Sequence, residues 1–133
     1  VALPIFMSKY WISDRDETPQ GLPLRLLIDK IRAYAGAQGQ FRLRRAQGYG
    51  LQIGSWNEQL DNADEVAVST VELLKASDGN EEWFYNLDAV YLTPSTTVHF
   101  GLHDSTALFL AAPAPIALQI VAYFSKVQAV DPA

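Results

Sequence analysis

The chain contains no cysteine, and it has only two histidines among its 133 residues. Without thiols it excludes disulfide cross-links, thiolate zinc sites, iron–sulfur ligation and a cysteine nucleophile. A transition-metal site would have to be built from two imidazoles and carboxylates. We therefore expect no metal and no cofactor, and the absence of cysteine favours a reducing, cytoplasmic environment.

Positive charge is also in short supply. Ten Lys and Arg residues stand against fifteen Asp and Glu residues, which gives a net charge of -5 and a pI near 4.8. A surface of this sign repels phosphate backbones and anionic lipid head groups, so we expect neither nucleic acid nor a membrane as a partner. The same sign speeds association with a basic protein.

No long apolar run is left uninterrupted. Residues 107–124, ALFLAAPAPIALQIVAYF, carry no charge, but Pro113 and Pro115 divide them. Proline in the middle of a helix removes a hydrogen bond and bends the chain. The run therefore predicts a strand followed by a proline-started helix rather than a membrane span.

The patterns that are present describe a mixed fold. At 49% hydrophobic and 19% charged residues, the composition is that of a globular protein, and the length predicts one domain over residues 1–133. A first strand is expected over residues 3–12. Apolar residues at helical spacing from Leu24 to Ala35, with Gly36 after them, predict a helix.

The rest of the chain predicts mostly strands. QFRLRR alternates like a half-buried strand, GYGLQIGSW is interpreted as a bulge, a sharp bend or a second short strand, and residues 57–65 as an acidic loop. VAVSTVELLK and EWFYNLDAVYL predict a hairpin around Asp78-Gly79. A second hairpin follows around HDS, and a helix is predicted from Pro115 to Val127. The expected fold is α+β: a twisted antiparallel sheet of about five to seven strands, packed on one face by an N-terminal-half helix and a C-terminal helix.

Both histidines lie in TTVHFGLHDST, where β-branched residues favour a strand. On a strand, His99 and His103 share a face with Cα atoms roughly 13 Å apart, too far to share one metal ion easily. Asp104 and Ser105 follow His103 directly, whereas the members of a catalytic triad meet through the fold. We interpret these two residues as turn formers.

Two candidate sites remain. Strand alternation places Arg42, Arg44, Asp88 and His99 on one polar sheet face, where a carboxylate would tune His99 as a base and the arginines would hold an anion. The alternative is a solvated face with cross-strand charge pairs. The second candidate is a partner-binding surface of carboxylates and aromatic anchors. Its members are Asp61, Asp64, Glu65, Asp78, Glu81, Glu82, Trp83, Phe84 and Asp88.

These features favour a non-enzymatic, protein-binding module, most concretely a bacterial immunity protein or antitoxin that inhibits a basic, nuclease-type toxin. That choice rests on size, charge and the absence of a catalytic signature, and fold and charge alone do not determine function. One alternative is a small-molecule binder or enzyme with His99 as base and Asp88 or Glu82 as its orienting partner. Another is a structural subunit, such as a homodimer, that buries the apolar C-terminal helix.

Overall fold

The computed structural model describes residues 7–130, and these residues form one seven-stranded antiparallel sheet with four helices. Strand order is β3-β2-β4-β5-β6-β1-β7, and the sheet is twisted and unclosed. The predicted α+β class is thereby confirmed. The elements are β1 (Met7–Ile12), α1 (Leu24–Ala35), β2 (Gln40–Tyr49), α2 (Leu51–Leu60), β3 (Val66–Val68), α3 (Thr70–Ser77), β4 (Trp83–Leu92), β5 (Thr97–His103), β6 (Ala107–Pro113), α4 (Ala114–Val121) and β7 (Val127–Ala129).

Alternation along each strand gives the sheet a buried and an open face. On β5, Val98, Phe100 and Leu102 are buried in the core, while Thr97 and His99 point to the other side and are half-buried. The same period of two holds on β6, where Leu108, Leu110 and Ala112 join that core. One sheet face therefore carries the hydrophobic core, and we call the other the open face.

All four helices lie on the core side. Helix α1 buries Leu24, Leu27, Ile28 and Ile31, the stripe predicted from the sequence, and ends at Gly36, whose φ of 112° suits glycine. It contacts α3, α4 and β5, while α4 packs on β1 and β6. Helix α2 packs on β2 and β3. Nothing in residues 7–130 covers the open face with a helix. No helix of that part of the chain is long and apolar enough to cross a membrane.

Two of the four helices were predicted as something else. Helix α2 occupies residues 51–56 of the GYGLQIGSW region and residues 57–60 of the acidic loop predicted over 57–65. In the first predicted hairpin strand, residues 66–68 form a strand, β3, but it pairs with β2 and not with β4. Helix α3 occupies the rest, so Asp78 ends a helix instead of starting a turn between strands. A capping box explains α3: the Ser69 hydroxyl accepts the Glu72 N–H, and the Glu72 carboxylate accepts the Ser69 N–H. This Ser-x-x-Glu signal outweighs the strand propensity of the valines and threonine around it.

The two ends of the chain also depart from expectation. The predicted C-terminal helix stops at Val121, and β7 then pairs with β1 at the sheet edge. The residues of the first predicted strand before Met7 lie outside the described residues. The division of the apolar run at Pro113 is confirmed, because β6 ends at this proline and α4 begins directly after it.

A bulge in β4 breaks its alternation. Gln47 pairs with Asn86 and Gly48 with Phe84, so Tyr85 is the extra residue. Phe84 therefore lies in the core with 0% exposure, on the same face as Leu87. Strict alternation along EWFYNLDAVYL would instead place Phe84 on the face of Asn86 and Asp88.

The HDS segment forms a tight turn, as expected. The Thr106 N–H donates to the His103 carbonyl at 2.9 Å, and the central residues Asp104 and Ser105 have φ of 47° and 56°. Positive φ at both central residues is the type I′ conformation, which disfavours non-glycine residues. Hydrogen bonds hold it: the Asp104 N–H donates to Asn86 Oδ1 at 2.8 Å, and the Ser105 N–H to the Tyr85 carbonyl at 3.0 Å.

Relieving this backbone strain should stabilise the protein. The double variant Asp104→Asn, Ser105→Gly carries the residues that type I′ turns prefer, and we expect its free energy of unfolding to rise by about 1–2 kcal/mol. Urea unfolding measures the change. Ser95→Gly, in a turn residue without a positive φ, is the control and should give no gain. A double variant no more stable than the wild type would contradict the strain argument.

Candidate functional site

The first candidate surface is a cleft where β2 ends, α2 begins and the chain approaches β4. Gly50 has a φ of 131° and joins the strand directly to the helix. The cleft has a volume of about 570 Å³. We call it the α2 cleft, and its lining residues are Tyr49, Gly50, Leu51, Gln52, Lys75, Glu81 and Glu82.

Glu82 holds the start of α2 in place. The helix receives no side-chain cap from Gly50. Instead, the backbone N–H groups of Gln52 and Ile53 donate to Glu82 Oε1 at 2.8 and 3.1 Å. A carboxylate at a helix N-terminus satisfies unpaired donors and favours the helix dipole. One oxygen of the Glu82 carboxylate is therefore already hydrogen-bonded within the chain, which leaves less of its charge for a partner.

The rim of the α2 cleft is apolar and exposed. Leu51 is 95% exposed and Tyr49 is 56% exposed. The Tyr49 ring stacks on Trp83 with centroids 4.6 Å apart and planes tilted by 20°. Tyr49 and Leu51 line the same cleft and remain largely in water, with the half-buried Trp83 stacked on the Tyr49 ring. Exposed apolar surface grouped in this way marks an interaction site.

The residues predicted to bind a partner fall into separate places. Glu81, Glu82 and Trp83 lie at or beside the α2 cleft, and Asp78 lines an adjacent hollow with Glu81 and Glu82. Asp61 and Asp64 lie beyond the other end of α2, about 15 Å away for a ten-residue helix. Phe84 is fully buried, so its prediction as a contact residue was wrong: the β4 bulge turns it into the core.

Asp88 and Glu65 belong to the open face. Asp88 lies mid-strand on β4, opposite Gly101 of β5 and Arg45 of β2. Glu65 accepts the Arg44 Nε–H at 3.2 Å and lies 3.6 Å from the Arg42 guanidinium. These ion pairs are half-exposed and contribute little to stability. They neutralise part of the positive charge of β2.

The open face brings together the predicted ligand residues Arg42, Arg44, Asp88 and His99. Arg42 pairs with Val90, and Val90 with His99, so the arginine and histidine lie two strands apart in one row. The row continues through Ala111 to Lys9. Strand alternation predicts the shared face of Arg42 and His99. Arg44 is the extra residue of a bulge in β2, which brings Arg45 opposite Asp88, and Lys9 joins the row only through the strand order.

The surroundings of His99 disfavour its charged form. Partial burial lowers the pKa of His99 below 6.5, and the positive charges of Arg44 and Lys9 lower it further, while Asp88 opposes them. A neutral imidazole at pH 7 accepts a proton. Within residues 7–130 no group of three metal-ligating side chains comes together, and His99 and His103 lie along a single strand.

Two aromatic side chains next to this row, Trp11 and Phe109, were not predicted as part of any site. Trp11 meets His103 and Phe109 edge to face, each with centroids 6.0 Å apart. The Phe109 ring lies over Gly101, where a Cβ would collide with the ring and with the Leu87 carbonyl. A glycine inside TTVHFGLH was the available signal, because glycine within a strand marks such close approaches.

Helix α4 provides no comparable surface. Leu118 is 59% exposed. Tyr123, just after the helix, already makes contacts within the chain: its hydroxyl lies 2.6 Å from that of Tyr34, and the Lys30 ammonium lies 3.9 Å from the centre of its ring. A singly exposed leucine is ordinary on a protein surface.

Comparison with protein-family models, with curated proteins and with solved structures finds no match. Any functional assignment therefore has to come from the two surfaces themselves.

Removing the Glu82 carboxylate should destabilise α2. In Glu82→Gln the charged acceptor for two helix N–H groups is lost, and we expect a loss of about 1 kcal/mol in the free energy of unfolding. Urea unfolding measures it. Glu81→Gln, an exposed neighbour with the same change in charge, is the matched control and should leave stability unchanged. Equal losses in both variants would show that Glu82 acts only through net charge.

His99 should make stability depend on pH. Because the folded state lowers its pKa, the unfolded chain binds more protons just below pH 6.5, and the free energy of unfolding falls as the pH drops through that interval. His99→Gln should remove this part of the slope, while His103→Gln, which keeps His99, should retain it. Urea unfolding on both sides of pH 6.5 is the measurement, and an unchanged slope in His99→Gln would contradict the desolvation argument.

Proposed function

We propose that the chain is a non-catalytic protein-binding module whose α2 cleft takes a basic protein partner. The carrying observation is the 95% exposure of Leu51 beside the stacked pair of Tyr49 and Trp83. Leucine at the first position of a helix gains nothing from water contact, and the Tyr49 and Trp83 rings provide a flat, rigid anchor next to it. Aromatic anchors surrounded by polar groups are typical of interface hot spots.

The charges around this apolar rim support a basic partner. Glu81 is exposed at the cleft and has no cation within 4.0 Å among the described residues. Asp78 lines the adjacent hollow, 3.8 Å from the exposed guanidinium of Arg25. Lys75 is the cation of the cleft lining. Carboxylates at a rim act mainly by steering association, so Glu81 should govern the rate and salt dependence of binding.

The concrete form of this proposal is an inhibitor: an immunity protein or antitoxin that covers a basic, nuclease-type toxin domain in a bacterial cytoplasm. Support comes from the net charge of -5 and from a cleft whose charges complement a basic surface. The Asp61, Asp64 and Glu65 group is not part of this contact, since it lies beyond the far end of α2.

Binding should depend on the cleft and not on net charge. The tagged chain is used to capture partners at low and high salt, and the affinity of a captured basic protein is measured with three variants. We expect Leu51→Ser to weaken binding about tenfold or more at either salt concentration. Glu81→Lys should weaken it strongly at low salt and less at high salt, because salt screens rim charges. Asp64→Lys makes the same charge change at the far end of α2 and should bind normally.

Two outcomes would contradict the proposal. Equal weakening by Glu81→Lys and Asp64→Lys would show attraction by net charge without a defined site. Full binding by Leu51→Ser would show that the partner contacts another surface. The inhibitor form is tested next: the captured protein should cleave nucleic acid alone and lose that activity when the chain is added.

A further inference from the structure

We propose that the open face is a second binding site, independent of the α2 cleft, and that it takes a small organic anion carrying a flat apolar ring. The site extends from β5 across β6 and β1 to Val130, directly after β7. Its anion-binding part is the row of His99, Ala111 and Lys9, and its apolar part is formed by Trp11 and Phe109.

A groove on this face has the size and lining for one ring system. Its volume is about 290 Å³, at the small end of ligand sites. Trp11, Phe109, Ala111 and Val130 contribute apolar walls, and Tyr10 and Leu110 complete the lining with Lys9, its charged residue. His99 lies just outside this groove, on the neighbouring strand opposite Ala111. Trp11 remains 38% exposed although it contacts two other aromatic rings. An aromatic ring placed in this groove would cover apolar surface that the fold leaves in contact with water.

The small side chain of Ala111 leaves room between two nitrogen-bearing neighbours. Ala111 pairs with His99 on one side and with Lys9 on the other, so the Cα atoms of the two outer residues lie roughly 10 Å apart across three strands. Both side chains project from the same face. A carboxylate or phosphate above Ala111 would be within reach of the Lys9 ammonium and the His99 ring.

Lys9 is available for such a ligand. Among residues 7–130 it has no carboxylate within 4.0 Å, whereas Arg42 and Arg44 are engaged by Glu65. The charged groups that face His99 are Arg44 and Lys9, both positive, and Asp88. An added anion would offset the two cations, so binding should raise the pKa of His99.

The small number of unpaired cations on this face favours a small anion over a polyanion. Beyond Lys9, Arg45 is the other strand cation without a carboxylate within 4.0 Å in residues 7–130, and it donates to Gln47 at 3.0 Å. Two such cations neutralise few phosphates, and the net charge of -5 would repel a long nucleic acid strand. A small ligand mainly experiences the local charges of Lys9 and His99.

The test is an NMR titration of the full chain with 2-naphthoate. We expect the Trp11 indole and His99 ring signals to shift, while the Trp83 signal at the α2 cleft stays unchanged. Lys9→Gln should weaken binding about tenfold. Lys75→Gln, which removes the lysine of the α2 cleft, is the matched control and should bind normally. A parallel titration with naphthyl phosphate distinguishes a phosphate ligand from a carboxylate ligand.

Three results would overturn the proposal. Equal affinity for 2-naphthoate and its neutral amide would show that the face does not recognise the negative charge. Chemical-shift changes centred on Trp83 would show that the ligand binds at the α2 cleft instead. Tighter binding of single-stranded oligothymidylate, with a steep salt dependence, would assign the face to nucleic acid instead. Trp11→Ala removes the ring from the groove and should lose binding. Trp11→Phe keeps a ring there and should retain binding, which would show that the alanine variant loses a ligand contact.

Discussion

The structure depends on one constraint: a seven-stranded antiparallel sheet has all its helices on one side. Each central strand must then alternate between a side chain that joins the core and one that meets solvent. This divides the residues of the chain into two chemical sets. Phe100 and Leu102 could be exchanged for other apolar residues within the first set, whereas the identities of His99 and His103 in the second are not determined by packing.

The strands also differ in charge from the rest of the chain. The charged side chains of the seven strands are Lys9, Arg42, Arg44, Arg45 and Asp88, so four are basic and one is acidic. The rest of the sequence holds six basic and fourteen acidic residues. The negative net charge of the chain therefore comes from the helices, loops and ends, whereas the strands carry a net positive charge. An argument from net charge supports a basic partner at the α2 cleft, but it does not extend to the open face.

Much of the fold followed from the sequence because its signals are local. The helical stripe of α1, the proline break at Pro113 and the period of two along β5 each need only a few neighbouring residues. The errors arose where a local signal competed with propensity. In α3 the Ser69 and Glu72 pair outweighed strand formers. In α2 a carboxylate supplied from a distance, Glu82, caps a helix that contains Gly54 and lacks its own cap.

The open-face site was half predictable for a related reason. Alternation placed Arg42, Asp88 and His99 on one face, but Lys9 and Trp11 joined them only through the insertion of β1 between β6 and β7. That pairing links residues about a hundred positions apart, and no local pattern encodes it. The sequence similarly identified the acidic and aromatic residues of the partner surface but could not show that they lie in separate parts of the fold.

One inserted residue connects the two surfaces. The Tyr85 bulge lets Trp83 stack outside on Tyr49 while Phe84 turns into the core, where its ring stacks against Trp56. Beyond the bulge, Asn86 and Asp88 return to the open face, and Asn86 holds the strained turn at Asp104. Without the extra residue, strict alternation could not place Phe84 and Leu87 on the same face. The register of β4, more than its composition, therefore determines which side chains each surface receives.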